Sequence, residues 1–365
     1  MKTLHDLPTP ALILDLDRLE RNLEWMANRA TELGVSLRPH IKTHKCVEIA
    51  QRQRALGATG ITVSTLYEAR VFADHGFDDI TWAFPVILSR VPDVVELAER
   101  VQLGVVVDTP EAVAALNATG QPLHVFLKVD CGYHRAGVDP LSDQAVQLAR
   151  AIAESPSLRF EGILSHSGHA YDTKNTLQTA DIAEQERAVM VRFSEQLQSK
   201  GIETPTVSVG STPSARAVRD LHGVTEMRPG NYALFDYMQV TLGSCTAAEC
   251  AVTVLSSVVS SQPNGHHAIL DAGALSLSKD PGPGSPHPRT MGEIYQDYDA
   301  GVLEPDMRII AVSQEHGRLN QTLAVGKRVR ILPNHSCLTV AEFDECYVVR
   351  GTDVVDRWKI WRGRD

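Results

Sequence analysis

The sequence predicts an α/β protein: a TIM-like (β/α)8 barrel followed by a second, mostly antiparallel β domain. Three observations carry that expectation. From about residue 20 to residue 235, short β-branched runs alternate with helical patterns, and strands alternating with helices imply a parallel sheet. Eight such repeats in about 220 residues come close to the length of a closed barrel. After about residue 240 the helical patterns give way to short runs joined by Gly, Pro and Asp turns, the signature of antiparallel sheet. An open doubly wound sheet also fits the alternation. No G-x-G-x-x-G follows the first strand, however, which counts against its dinucleotide-binding version.

In chain order, the first strand, 11–16, has no helix before it and is expected to join the second domain. Barrel strands are expected over 35–41, 60–63, 79–84, 103–107, 124–129, 160–165, 206–209 and 225–227. The helices accompanying them are expected over 17–33, 46–56, 66–75, 91–100, 110–116, 141–153, 181–200 and 214–221. The second domain reads as strands at 251–260, 267–271, 307–313, 328–332 and 347–350, with a Gly- and Pro-rich loop at 279–288. The expected division is therefore 17–240 for the barrel and 241–365, with about 1–16, for the β domain.

Composition narrows the function classes. The 365 residues are 43% hydrophobic and 22% charged, as in a soluble globular protein. No apolar run approaches the roughly 18 residues of a membrane span, and no signal peptide is visible after Met1. Lys and Arg number 35 against 45 Asp and Glu, giving −10, which argues against nucleic acid as the main partner. The six cysteines include no C-x-x-C pair, so reduced thiols and a cytoplasmic location are the expectation.

Chemistry in a barrel sits at the C-terminal ends of its strands. Strand 35–41 ends in Arg38-Pro-His-Ile-Lys42-Thr-His44-Lys45; a lysine there is either an amine nucleophile or an ordinary surface lysine. Strand 124–129 ends in Lys128-Val-Asp130-Cys-Gly132-Tyr-His-Arg135, which also fits a structural ion-pair network. Strand 160–165 leads into Ser165-His166-Ser-Gly168-His169-Ala-Tyr171, where the polar groups are site residues or satisfied core groups. The last two strands lead into Gly210-Ser211-Thr212-Pro213 and Arg228-Pro229-Gly230-Asn231. Loops at these two places commonly hold a phosphate through backbone N–H groups, although Ser-Thr-Pro is also an ordinary helix N-cap. A phosphate site together with a strand-end lysine suggests pyridoxal phosphate held by a Schiff base.

The second domain offers Pro333-Asn-His335-Ser-Cys337. On a strand, residues i and i+2 share a face, so His335 and Cys337 could bind one metal ion. Imidazole with thiolate suits zinc, and two ligands leave positions open as in catalytic sites. So short a motif also fits a half-buried strand with unrelated His and Cys.

Taken together, these motifs resemble the D-serine dehydratase/D-threonine aldolase family of fold-type III, alanine racemase-like pyridoxal-phosphate enzymes. The resemblance runs nearly end to end, from Thr9-Pro-Ala-Leu-Ile-Leu-Asp through Asp271-Ala-Gly to the His335–Cys337 motif. It implies that Lys42 is the Schiff-base lysine, with Lys45 as the competing candidate. It implies that Arg135 faces the cofactor's phenolic oxygen, Arg228 its pyridine nitrogen and Tyr171 its side. Gly210, Ser211, Thr212, Gly230 and Asn231 match the phosphate-binding loops. His335 and Cys337 match the ligands of a divalent metal, zinc or another such as manganese. A homodimer is also implied, as are a small-molecule D-amino acid substrate and no nucleic-acid or membrane partner.

Within the family, aldolases carry an H-C-D-type metal sequence and dehydratases H-x-C. His335-Ser336-Cys337 therefore leans toward dehydration of a D-β-hydroxy-α-amino acid to a 2-oxo acid and ammonia. A retro-aldol lyase giving glycine and an aldehyde is the alternative. A racemase is disfavoured because no racemase-type tyrosine stands in 271–279. A non-catalytic cofactor carrier is disfavoured by the added β domain.

Overall fold

The computed structural model describes residues 2–262, 264 and 266–364. The chain opens with β1 (Ala11–Asp15) and α1 (Leu16–Leu33) and then alternates regularly. The series is β2 (Ser36–Leu37), α2 (Val47–Ala55), β3 (Ile61–Val63), α3 (Leu66–Asp74), β4 (Asp79–Pro85), α4 (Val91–Ala98), β5 (Gln102–Val107) and α5 (Pro110–Asn117). It continues through β6 (Leu123–Lys128), α6 (Asp143–Ala153), β7 (Leu158–Leu164), α7 (Thr176–Ser199), β8 (Thr206–Val209), α8 (Thr212–Ala217) and β9 (Glu226–Met227). Local sequence sets the helix starts. Thr65, Thr109, Ser142 and Asn175 each accept a backbone N–H three residues on, satisfying a donor the helix itself cannot. The cap at Asn175 starts α7 five residues before the expected 181.

β2 to β9 form one parallel sheet in the order β2-β9-β8-β7-β6-β5-β4-β3. Its ends meet through a parallel bridge between His40 and Thr62, where the Thr62 N–H donates to the Pro39 carbonyl at 2.8 Å. That closure makes the sheet a barrel and removes the open alternative. All eight expected strands are present, but the first is shorter than 35–41. Only Ser36–Leu37 forms ladder pairs, because Pro39 has no N–H to donate and Ile41–Thr43 winds into a 3-10 turn.

A buried ionic lock crosses the barrel. Arg38 Nε donates to Glu226 Oε2 at 2.6 Å, and its two Nη groups reach Asp79 at 2.7 and 2.9 Å. Glu226 also accepts from Ser208 Oγ at 2.6 Å. The complete pairing offsets the desolvation cost of these charges. Gly60 makes room for the guanidinium: a Cβ there would lie 2.2 Å from Arg38 Nη1.

Beyond β9 come α9 (Tyr237–Thr241), β10 (Val252–Gln262), β11 (His267–Leu270), α10 (Ala274–Leu277), β12 (Glu293–Asp297) and β13 (Val302–Val312). They are followed by β14 (Gly317–Leu319), β15 (Arg328–Leu332), α11 (Ser336–Val340), β16 (Glu345–Arg350) and β17 (Asp353–Lys359). The sheet order is β11-β14-β13-β12-β15-β10-β1-β16-β17, and β11 also pairs with β10. Strands β10 to β15 therefore close into an antiparallel ring. β1 runs antiparallel to β10 and parallel to β16. β12, β14 and β17 were not expected; β17 carries four charges in seven residues, a pattern suited to a sheet edge but not to a half-buried strand.

One expectation is corrected. His335 and Cys337 do not lie on a strand: β15 ends at Leu332, His335 is the extended N-cap of α11, and Cys337 lies in that helix. The cause is distant in sequence. The N–H and hydroxyl of Ser336 both donate to buried Asp236, at 2.9 and 3.1 Å, and turn the chain into a helix.

The chain divides into two compact units. One comprises Met26–Lys42, Ala50–Gly230 and Gly363–Asp365; the other comprises Met1–Trp25, Thr43–Ile49 and Asn231–Arg362. Among the described residues no helix is long and apolar enough to cross a membrane.

Candidate active site

A cavity of about 350 Å³ opens at the C-terminal ends of the barrel strands. His40 and Lys42 come from the turn after β2, Phe84 and Pro85 from β4, Lys128 and Arg135 from the end of β6 and beyond, His166 from after β7, and Arg228 from after β9. Among the described residues no acidic residue lines it. A space of this size lined by cationic groups suits a small anionic ligand. Of the motif's two lysines, half-buried Lys42 lines the cavity. Lys45 lies in the other compact unit, with φ 48° and its carbonyl accepting the Trp361 N–H at 2.8 Å.

Arg228 is held directly by neutral partners. Arg228 is 4% exposed; its Nε donates to Ser208 Oγ at 2.7 Å and its Nη2 to the Ser165 carbonyl. Ser208 thereby joins Arg228 to the Glu226–Arg38 lock. Burial, together with Arg228 and Arg135, lowers the Lys128 pKa to about 8. The ion-pair network that the sequence allowed here does not form. Asp130 instead accepts the N–H groups of Gly132 and His134 and contacts His134 Nδ1. Burial also pushes His166 well below its ordinary pKa, with Lys42 and Arg135 adding to the shift. The neutral ring then donates from Nδ1 to the Gly210 carbonyl at 3.1 Å, which leaves Nε2 as an acceptor.

The two candidate anion loops are anchored from below. Gly210, at φ 119°, donates its N–H to Glu186 Oε1 at 3.2 Å. Glu186 is 1% exposed and also accepts from Ser165 Oγ and Ser167 Oγ at 2.7 and 2.6 Å. The Ser211 N–H donates to Ser214 Oγ at 2.9 Å, and Ser211 Oγ caps the Ser214 N–H; Thr212 begins α8. Tyr171 sits half-buried on the 3-10 turn Gly168–Asp172. Tyr171, Gly210, Ser211 and Thr212 stand outside the cavity lining. Gly230 ends one compact unit and Asn231 begins the next stretch of the other. Glu186 escaped sequence reasoning, since a glutamate in the middle of a helix reads as a solvent-facing residue.

These contacts set an expectation for the loops. Ser211→Ala should lower stability by about 1 kcal/mol through the lost cap, and Ser211→Ala or Thr212→Ala should weaken pyridoxal phosphate by only about 1–2 kcal/mol. Gly230→Val should be far worse, because a β-branched side chain would crowd the bound phosphate. Cofactor titration checks this; equal, mild effects from all three would remove the phosphate from these loops.

At the start of α11, His335 Nδ1 lies 3.1 Å from Asp280 Oδ2, and the side chains of His335 and Cys337 hydrogen-bond to each other. Cys337 Sγ lies 3.2 Å from Thr43 Oγ1. Burial opposes charge on His335, yet Cys337 and Asp280 outweigh it and raise its pKa to about 11. Asp280 is itself fixed, accepting the Gly282 N–H at 3.0 Å. Among the described residues no group of three or more His, Cys, Asp or Glu side chains is arranged to hold a metal ion. The donor set is thus one histidine and one cysteine, each of which gives up its proton on binding a metal. That fits an open site completed by water or substrate, with Asp280 orienting the imidazole from behind.

Residues 14–237 match the family described as "Alanine racemase, N-terminal domain", and residues 251–349 match the "Putative serine dehydratase domain". The chain is 37% identical to the D-threo-3-hydroxyaspartate dehydratase of Delftia sp. (strain HT23), covering 99% of both chains. A solved structure of a D-threo-3-hydroxyaspartate dehydratase, a cysteine-to-alanine variant in the metal-free form, aligns with a TM-score of 0.93 at 36% identity over 100% of both chains. The chain is 34% identical to the D-serine dehydratase of Dictyostelium discoideum, over 96% of both. It is 32% identical to the D-threonine aldolase of Arthrobacter sp., over 96% of this chain and 92% of the relative.

Proposed function

Because the chain belongs to the D-serine dehydratase/D-threonine aldolase family of alanine racemase-like enzymes, we propose that it is a lyase dependent on pyridoxal phosphate and zinc, and specifically a dehydratase of D-β-hydroxy-α-amino acids. The observation that carries the reading is Lys42, the one lysine of its motif that lines the acid-free cationic cavity. We further propose a homodimer working in the cytoplasm.

Pyridoxal phosphate would be held by Lys42, Arg135, Arg228, Tyr171 and the loops at Gly210, Ser211, Thr212, Gly230 and Asn231; when bound it supplies an electron sink for charge developing at Cα. Lys42 Nζ removes the α-proton, and over the whole reaction that proton and the departing hydroxyl leave as water, returning Lys42 to the neutral amine. Arg228, fixed by Ser208 and Ser165, remains a cation throughout and cannot act as a proton donor. His335 and Cys337 would hold zinc, or another divalent ion such as manganese; its chemistry is to polarise a departing β-hydroxyl. The released product then hydrolyses to a 2-oxo acid and ammonia.

The deciding measurement is product analysis over D-serine, D-threonine and D-3-hydroxyaspartate. Ammonia and 2-oxo acid in equal amounts are expected. Clean formation of glycine and an aldehyde would establish instead the aldolase reading, which the Arthrobacter relative supports.

A further inference from the structure

Asp236 is a fully buried carboxylate, 0% exposed, and carries four hydrogen bonds. Its Oδ1 caps α9 by accepting the Gln239 N–H at 3.0 Å. Its Oδ2 accepts from Asn231 Nδ2 at 2.6 Å, the Ser336 N–H at 2.9 Å and the Ser336 hydroxyl at 3.1 Å. Asn231 Nδ2 also reaches Ser336 Oγ directly, at 3.0 Å. Ser336 stands between His335 and Cys337. The residues entering the turn are braced on the same helix: the Pro333 and Asn334 carbonyls accept the N–H groups of Tyr237 and Met238 at 3.0 and 3.2 Å.

A cap for α9 needs only one carboxylate oxygen, so the three donors on Oδ2 serve something else. They fix the backbone at Ser336, where the chain passes from extended at His335 to helical, and that change of direction is what brings the two flanking side chains together. We propose that Asp236 is a positioning residue for the metal site, setting the convergence of His335 and Cys337, and that Asn231 belongs to the same unit. The inference rests on reading His335 and Cys337 as metal ligands. A partner that orients a metal-binding element commonly alters metal affinity about 10–100-fold when removed.

The test measures Zn²⁺ affinity by chelator competition, and the thiolate-to-metal absorbance of the Co²⁺-substituted protein, in wild type, Asp236→Asn and Ser336→Ala. Melting of the metal-free proteins provides the stability control. Asp236→Asn should weaken Zn²⁺ binding about 10–100-fold and alter the Co²⁺ spectrum. Ser336→Ala removes the hydroxyl's bonds to Asp236 and Asn231, keeps the backbone N–H on Asp236 and the cap of α9, and should shift both readouts in the same direction by less. Folded variants that bind metal as wild type does, with an unchanged Co²⁺ spectrum, overturn the proposal; should Asp236→Asn not fold, Ser336→Ala decides. Failure of the wild-type protein to bind metal overturns the ligand reading itself, an outcome distinct from equal binding by all three.

Discussion

Lys42→Ala should lose the visible absorbance of lysine-linked pyridoxal phosphate and slow turnover by more than about 10³-fold. One amine is asked both to anchor the cofactor and to move the α-proton, and a positioned proton-transfer group alone is worth about 10²–10⁴. Two other amines could compete. Lys45 is in the same motif, but it is not among the residues that line the cavity. Lys128 lines the cavity, and its pKa near 8 leaves an appreciable neutral fraction at pH 8. It is nevertheless buried, and its charge is opposed by Arg228 and Arg135. The measurement is an absorbance scan and single-turnover kinetics on all three alanine variants. Absorbance that survives in Lys42→Ala and vanishes in Lys45→Ala or Lys128→Ala would move the anchor.

Removing the metal should separate two functions that the fold holds on different elements. A chelator, or Cys337→Ala, should lower dehydration by at least about 10²-fold, since polarising a poor leaving group is worth several kcal/mol. The visible absorbance should persist, because Lys42 and the barrel loops do not include a metal ligand. Exchange of the α-proton with D₂O should also survive, since that step needs only Lys42 and the cofactor's electron sink. Full dehydration of D-serine by metal-free enzyme would end the case for a metal-assisted elimination.

The barrel was legible because its signals are local. Alternating runs mark β2 to β9 and the helices between them. The sequence marks Lys42 as lying at a strand end, although β2 stops at Leu37 and a 3-10 turn carries Lys42 to the cavity. Glu186 and Asp236 carried no such mark. Glu186 meets Gly210 24 residues away and Asp236 meets Ser336 100 residues away, and neither partner is announced by local sequence. The turn at Ser336 was misread for the same reason: a distant carboxylate bends a segment whose own pattern is that of a strand. Asp280 was hidden in a Gly- and Pro-rich stretch, where composition signals only irregular backbone.

The placement of β1 has a bearing on how the chain reaches this structure. Its five residues are all buried, and its first ladder pair joins Ala11 to Leu255. During synthesis the strand Ala-Leu-Ile-Leu-Asp therefore emerges about 240 residues before the partner that covers it. At roughly 5–20 residues per second it stays unpaired for tens of seconds on the ribosome. An apolar strand with bare edges is an aggregation hazard for that whole interval. The late pairing also closes a very long loop, which slows the final step of folding more than it weakens the finished protein. The strand is thus made long before the partner that covers it and is among the last to be secured, and shielding the nascent chain matters most for this short segment.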